Sequence, residues 1–179
     1  LGYSVVAVMA FGTFINPLEE EFGWSRGQIS FGLSIIGYTA IFVFPVTGAL
    51  MDKVGAKRVL LISTVLFALT MSSMSFLTPQ LLHFYALCLN IPIMGSGTAP
   101  MTYSRLIVSW FDKKRGLALG IGLAGVGLGT SFVPVFATWV MDQYSWREAY
   151  VAIGILILVV VLPALKIVMV NRPIEKGLM

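Results

Sequence analysis

Charge is scarce in this sequence, and its scarcity excludes most soluble folds. Only 11% of the 179 residues are charged and 58% are hydrophobic, whereas a soluble domain carries about 25% charged residues. A soluble helical bundle would also need a polar face on every helix, and none exists from Val59 to Leu82 or from Ala149 to Leu165. The composition therefore predicts a protein whose partner is the lipid bilayer.

Groups for metal, thiol and nucleophilic chemistry are also nearly absent. Cys88 is the one cysteine and His83 the one histidine, so the sequence offers neither a disulfide framework nor a metal cluster. No acidic residue lies deep inside a hydrophobic run, and no nucleophile–base set is visible. A phosphate-binding lysine motif is missing as well. We therefore predict neither an enzyme nor an ATP-driven pump, and no metal or bound cofactor.

What the sequence has in abundance is long apolar runs separated by short charged clusters. A bilayer core of roughly 30 Å needs about 20 apolar residues per helix, so the runs predict an all-α membrane protein with six transmembrane helices. The approximate spans are residues 1–15, 26–51, 59–77, 81–110, 116–141 and 147–170. The visible part of span one is about 23 Å long at 1.5 Å per residue, so we expect this helix to begin upstream.

Turn and capping residues mark the ends of these spans. The pair Asn16-Pro17 predicts the end of span one, and the acidic segment Leu18–Trp24 is expected to form a loop. A serine followed three residues later by glutamine or glutamate is a capping box, and one such box precedes each of spans two and six. The two boxes are Ser25 with Gln28, and Ser145 with Glu148.

Basic residues gather on one side of the predicted spans, and this asymmetry predicts the topology. Ten basic residues lie near the ends of spans two, four and six, against two on the opposite side, Arg26 and Arg147. By the positive-inside rule, loops 52–58 and 111–115 and the C-terminus are cytoplasmic in a multi-pass protein of the cell (inner or plasma) membrane. The same distribution accounts for the net charge of +4 without a nucleic-acid partner.

The segment after span two carries the most informative motif of the chain. A glycine at a helix end permits close approach of a neighbouring helix, and a glycine at a reversal permits a positive φ. An acid is not needed for anchoring on this side, but it can pair with an arginine or a helix N-terminus, and neighbouring basic residues can bind acidic headgroups. The motif, G-x-x-x-D-K-x-G-x-K-R, is formed by Gly48, Asp52, Lys53, Gly55, Lys57 and Arg58.

This pattern resembles the loop between helices two and three of the major facilitator superfamily, and every position of the motif matches. The resemblance implies the N-terminal six-helix half of a 12-helix fold, with 3+3 inverted repeats in the half. A missing C-terminal half is then an expected partner. The resemblance further implies a conformational latch that braces the two halves in one state and releases them in the other. Asp52 would be the latch residue and Lys53 its charge partner.

A second resemblance covers most of the chain. Three segments are similar to bacterial monocarboxylate-type and oxalate/formate-type porters: Phe22–Arg26, Trp110–Gly120 and Arg172–Leu178. This resemblance implies alternating-access transport of a small-molecule substrate, a monocarboxylate or related organic anion, coupled to a proton or counter-anion. Two alternatives stay open. One is a transporter of another class, such as drug or metabolite efflux, and the other is a polytopic membrane protein without a transport function.

Span four holds the main candidates for a substrate path. Because an ionised group at membrane depth costs about 2.5–3.5 kcal/mol, Arg105 is expected either to bind a substrate carboxylate or to snorkel or pair with Asp52. Pro92 and Pro100 predict an interrupted helix, which either borders the binding site or is a packing kink. On a continuous helix, one ~80° arc contains Asn90, Met94, Thr98, Met101 and Arg105.

Small and polar residues on two other spans complete the candidates. On span two, Ser34 and Tyr38 belong to a strip that either lines the path or, for the serine, bonds only to its own backbone. Span five has pairs of small residues four positions apart, which predict close helix packing or a contact that slides during transport. The pairs are Gly116 with Gly120, and Gly125 with Gly129.

Overall fold

The computed structural model describes residues 7–8, 10–110 and 115–168, and all regular structure in these ranges is helical. Three helical segments within this part are long and apolar enough to cross a membrane: Arg26–Val54, Ala56–Phe76 and Gly116–Gln143. Six spans and an inverted repeat stay predictions. The helices are α1 (Ile15–Phe22), α2 (Arg26–Val54), α3 (Ala56–Ser73), α4 (Leu81–Gly95), α5 (Pro100–Trp110), α6 (Arg115–Gln143) and α7 (Trp146–Val168).

The beginning of the described chain corrects the predicted end of span one. The pair Asn16-Pro17 lies in the first turn of α1, where the N–H that proline lacks is not needed for the helix. The predicted loop Leu18–Trp24 is therefore helical as far as Phe22. The helix ends at Gly23, whose φ of 67° lies in the left-handed region and suits a glycine. Most of the predicted span 1–15 lies outside the described residues.

Helix α2 begins at the predicted capping box and ends inside the motif. The hydroxyl of Ser25 accepts the N–H of Gln28 at 3.2 Å, and the side-chain oxygen of Gln28 accepts the N–H of Ser25 at 2.9 Å. The predicted loop 52–58 is wrong in extent, because α2 continues to Val54 and α3 begins at Ala56. Gly55 alone separates them, and its φ of 90° confirms the predicted reversal.

The second capping box has a modified form at the start of α7. The hydroxyl of Ser145 accepts the N–H of Arg147 at 3.2 Å and donates to the carboxylate of Glu148. The glutamate thus bonds the serine side chain, whereas a standard box bonds the serine backbone. The serine still supplies an acceptor to the first turn of the helix.

The predicted span four consists of two helices. Helix α4 ends at Gly95, residues 96–98 form a 3₁₀ turn, and Ala99 has an extended conformation with φ −69° and ψ 153°. A residue before proline is pushed away from the helical region, and proline itself suits a first helical position. Pro100 therefore accounts for both the break and the start of α5. Pro92 lies inside α4 without ending it.

Helix α3 forms the centre of the bundle, because it packs against α2, α4, α5 and α7. Gly154 lets α7 approach α3 closely. A Cβ at this position would collide with Ser72 and lie 2.8 Å from the carbonyl oxygen of Ala68. The largest fully buried side chains of the bundle include Phe67, Phe84, Leu60, Met71, Ile153 and Ile157.

The glycines of α6 differ in their contacts within the described residues, and the packing role of the predicted pairs stays a prediction. A Cβ at Gly116, Gly120 or Gly125 would meet no atom within 4 Å, because this half of the helix is exposed along most of its length. The close approach occurs at Gly122, where a Cβ would lie 2.8 Å from Cδ1 of Ile107 on α5. Gly129, further along, is buried. The four-residue spacing therefore did not identify the glycine that α5 contacts.

Candidate functional site

The end of α2 is joined to α5 by an ion pair. Nη1 of Arg105 donates to Oδ1 of Asp52 at 2.7 Å, a short charge-assisted hydrogen bond. Both side chains are open to their surroundings, with exposed fractions of 47% for Arg105 and 70% for Asp52. The structure thus contains the pairing that was one of the alternatives for Arg105. The cation bonded to Asp52 lies on another helix, whereas the resemblance implied Lys53.

An open groove of about 610 Å³ surrounds this ion pair, with α2 on one side and α5 on the other. Apart from the pair, the groove is lined by apolar groups. A Cβ at Gly48 would meet no atom within 4 Å, so none of the described helices approaches this glycine closely, and the groove is open beside it. The lining residues are Ile41, Phe44, Pro45, Gly48, Ala49, Asp52, Met101 and Arg105.

The polar strip predicted on span two leads into this groove. Positions 34, 38, 41, 45, 48 and 52 are separated by three or four residues, so they share one face of α2. Ser34 is exposed, and the exposed fraction of Tyr38 is 68%. Both side chains therefore lie on the face of α2 that ends at Asp52.

The stripe predicted on span four is not continuous, because the break at residues 96–99 interrupts the helical periodicity. The amide of Asn90 donates to the carbonyl oxygen of Ala86 within α4 at 3.1 Å. Thr98 is buried, and its hydroxyl donates to the carbonyl oxygen of Gly95 at 2.7 Å. Thr98 therefore does not line this groove, and its place on a substrate path stays a prediction. The α5 part of the stripe, which includes Arg105, lines the groove.

The break itself is held by buried contacts that the sequence analysis missed. The hydroxyls of Thr47 on α2 and Ser96 in the 3₁₀ turn are hydrogen-bonded at 2.7 Å, and both are buried. A Cβ at Gly97 would lie 2.7 Å from Cβ of Ser63, so the turn packs directly against α3. The sequence does show hydroxyl and glycine residues inside apolar spans. No local spacing, however, indicates which of them contact one another.

A second polar cluster lies at the other end of α2 and joins α1 to α7. Nη1 of Arg147 donates to Glu21 at 2.5 Å, and Nη2 donates to the carbonyl oxygen of Leu77 at 3.3 Å. The guanidinium lies 4.3 Å from the ring centroid of Trp146, within the range of a cation–π contact. The indole N–H of Trp146 also donates to Glu21. The sequence marked Trp146 and Arg147 as a helix start, but it did not identify their partner.

Comparisons with known proteins agree on one family. The family model described as Major Facilitator Superfamily matches residues 2–178. The chain is 32% identical to Monocarboxylate transporter 13 of Rattus norvegicus, over 82% of this chain and 34% of that protein. It is 30% identical to the MFS-type transporter pynF of Aspergillus niger, over 94% of this chain and 39% of that protein. The chain therefore spans about a third of the length of these relatives.

The charge state of Glu21 follows from its partners. Partial burial acts to raise the pKa of Glu21, but the hydrogen bonds from Arg147 and Trp146 and the charge of Arg147 outweigh burial. The pKa therefore lies below its ordinary value of 4.5. A lowered carboxyl pKa stabilises the folded protein above the pKa of the unfolded chain, and this contribution disappears as pH falls through the pKa of the folded protein.

We predict that Glu21→Gln lowers the thermal midpoint of the full-length protein by a few degrees at neutral pH. The variant is also expected to lose less stability than the wild type when the pH falls below 4.5, because it has no carboxylate to protonate at this position. Tryptophan fluorescence during heating measures both effects. The control is Glu20→Gln, which removes an exposed neighbouring acid. Identical curves for the two variants would contradict the stabilising role of Glu21.

Proposed function

Because the chain belongs to the Major Facilitator Superfamily, we propose that it forms the first half of a secondary transporter that moves a small organic solute by alternating access. Its relatives include monocarboxylate transporters, which makes it a multi-pass membrane protein of a transporter family. The whole activity requires the length of chain that the relatives have and this chain lacks. The proposed mechanism rests on one observation, the Asp52–Arg105 ion pair.

The finer architecture belongs to the same proposal. Six spans with 3+3 inverted repeats would place the solute between this half and a second six-helix half. The excess of basic residues at one set of helix ends supports a cytoplasmic position for segments 52–58 and 111–115 and for the C-terminus of a protein in the cell membrane. Coupling to a proton or a counter-anion completes the proposal, with no bound cofactor.

The ion pair has the strength that a conformational latch needs. Exposed ion pairs contribute about 0–1 kcal/mol to stability, so the fold does not depend on this one. A difference of about 1 kcal/mol nevertheless changes the ratio of two conformations about fivefold. We place Asp52 as the latch residue: its bond to Arg105 holds the end of α2 against α5 in this conformation. When the bond opens, the end of α2 is free to change its contacts with the second half.

The groove next to the pair suits a small carboxylate. A guanidinium has five N–H donors, and Asp52 engages one nitrogen of Arg105, whose side chain is about half exposed. The remaining donors can bind a second carboxylate from the groove. A substrate anion would then compete with Asp52 for the same cation, so substrate binding would open the latch. The names of the relatives, monocarboxylate transporters 13 and 14, favour this substrate class.

A solute of another class is the second candidate, such as a drug or a metabolite exported from the cell. The relative that covers the largest share of this chain among those cited is called only an MFS-type transporter. The groove is also apolar apart from the ion pair, with Ile41, Phe44 and Met101 in its lining. In this case the only role of Arg105 would be to bind Asp52 in the latch, and it would not bind the solute. Carboxylate competition separates the two candidates.

For the latch, we predict that Asp52→Asn lowers transport by the full-length protein about fivefold, the factor that about 1 kcal/mol represents. Thermal stability should change by less than about 1 kcal/mol. Uptake rates at matched membrane abundance measure the effect. Asp142→Asn, which removes an exposed acid at the end of α6, is the control and should transport normally. Undiminished uptake by Asp52→Asn would refute the latch.

For the substrate class, we predict that lactate, formate or oxalate inhibits uptake by the wild type and inhibits Arg105→Ala at least about tenfold more weakly. Loss of a hydrogen bond to a charged group has about this effect. Asp52→Asn is the informative partner variant, because anions should inhibit it more strongly when no carboxylate of the protein competes for Arg105. Equal inhibition of the wild type and Arg105→Ala would exclude Arg105 as a substrate ligand and favour the second candidate.

A further inference from the structure

A second and larger groove lies on a different face of α2. It has a volume of about 780 Å³ and runs between α2 and α3, with the end of α4 at its base. Its α2 side includes Phe42, Val46 and Leu50, whereas the groove at the ion pair uses neighbouring positions on another face. The two grooves are therefore separate, and nothing in the proposed transport step uses this one.

The charged group of this groove lies at one end. Arg58, at the start of α3, is the one charged group among its lining residues, and it is exposed. No ion pair joins Arg58 to an acidic side chain in the part of the chain that the structure describes. Ser63 lies five residues further along α3, about 7.5 Å deeper. Beyond Ser63 the lining is apolar, with Leu66 on α3 and Val43 and Val46 on α2, apart from the hydroxyls of Thr47 and Ser96, which are hydrogen-bonded to each other.

The length of the groove matches one leaflet of a bilayer. From Val54 to Phe42, its α2 wall covers 13 residues, which span about 18 Å along the helix axis. Half of a hydrocarbon core of roughly 30 Å is about 15 Å. An amphiphile with its charged group at Arg58 would therefore have its chains beside the groove walls as far as the middle of the membrane.

The sign of the charge favours an anion at this position. Arg58 lies in the first turn of α3, where the helix dipole is already positive. No acidic residue lines the groove to balance it. Basic side chains at the membrane surface attract anionic lipids, and an arginine can hold a phosphate through two parallel bonds. A zwitterionic lipid has a phosphate too, but its cationic group would gain no partner here.

We propose that this groove is a binding site for one anionic phospholipid. Arg58 binds the phosphate, the hydroxyl of Ser63 donates to an ester carbonyl, and the acyl chains lie against Val43, Val46 and Leu66. The order of these groups along the groove, cation, hydroxyl and then apolar wall, is the order of phosphate, ester and chain in a phospholipid. Such a lipid would fix the α2–α3 pair, the two helices that Gly55 joins, from a different face of α2 than the transport groove.

The test uses the full-length protein in phosphatidylcholine nanodiscs that contain a photoreactive phosphatidylglycerol with its reactive group on an acyl chain. A parallel arm contains photoreactive phosphatidylcholine with the same chain. After irradiation, mass spectrometry quantifies the label on peptides from residues 42–66. Phosphatidylglycerol should label this region about fivefold more than phosphatidylcholine, and Arg58→Gln should abolish the difference, because one basic group near the surface contributes about this factor.

A second variant keeps the proposal testable if Arg58→Gln does not fold. Ile62→Trp fills the groove and should lower labelling by both lipids, whereas Ile155→Trp, at a similarly exposed position on α7, should leave it unchanged. Equal labelling by the two lipids in the wild type would overturn the proposal. So would unchanged labelling in Ile62→Trp, or no labelling of residues 42–66 by either lipid because the second half of the protein covers the groove.

Discussion

Hydrocarbon offers no hydrogen bonds, so every backbone group that leaves a helix inside the membrane has to be covered by the protein itself. In this chain the constraint is most severe at residues 96–99, where α4 stops and α5 starts. The break is buried: the exposed fractions of Ser96, Thr98 and Ala99 are 2%, 1% and 3%. The hydroxyl of Thr47 on α2 and the close contact of Gly97 with α3 provide the cover.

The position of the ion pair follows from this buried break. Because Ala99 is extended before Pro100, α5 is a separate helix and not a continuation of α4. Its second turn then lies beside the end of α2, where Arg105 bonds Asp52. The break is held by packing and buried hydroxyls, whereas the ion pair is exposed and weak. The structure thus combines a fixed element with a contact that can open at little cost to the fold.

The local features that could be predicted from the sequence are those that depend only on residues close together in the chain. The capping box at Ser25 and the positive φ of Gly55 depend on neighbouring residues only, and both predictions are confirmed. The motif around Asp52 also led to the correct family. The stripe predicted on span four is not continuous, because the prediction extended one helical period across the break before Pro100. The partners Thr47 and Ser96, and Glu21 and Arg147, lie 49 and 126 residues apart, and only helix rotation and packing bring them together.

The central claim is that Asp52 acts through Arg105, and a double-mutant cycle on transport by the full-length protein tests it most directly. The cycle compares Asp52→Asn in the wild type with the same substitution in Arg105→Gln, at matched abundance in the membrane. The account predicts that Asp52→Asn slows transport in the wild type and has no further effect once Arg105 is absent. The same loss factor in both backgrounds would contradict it, because Asp52 would then act independently of Arg105.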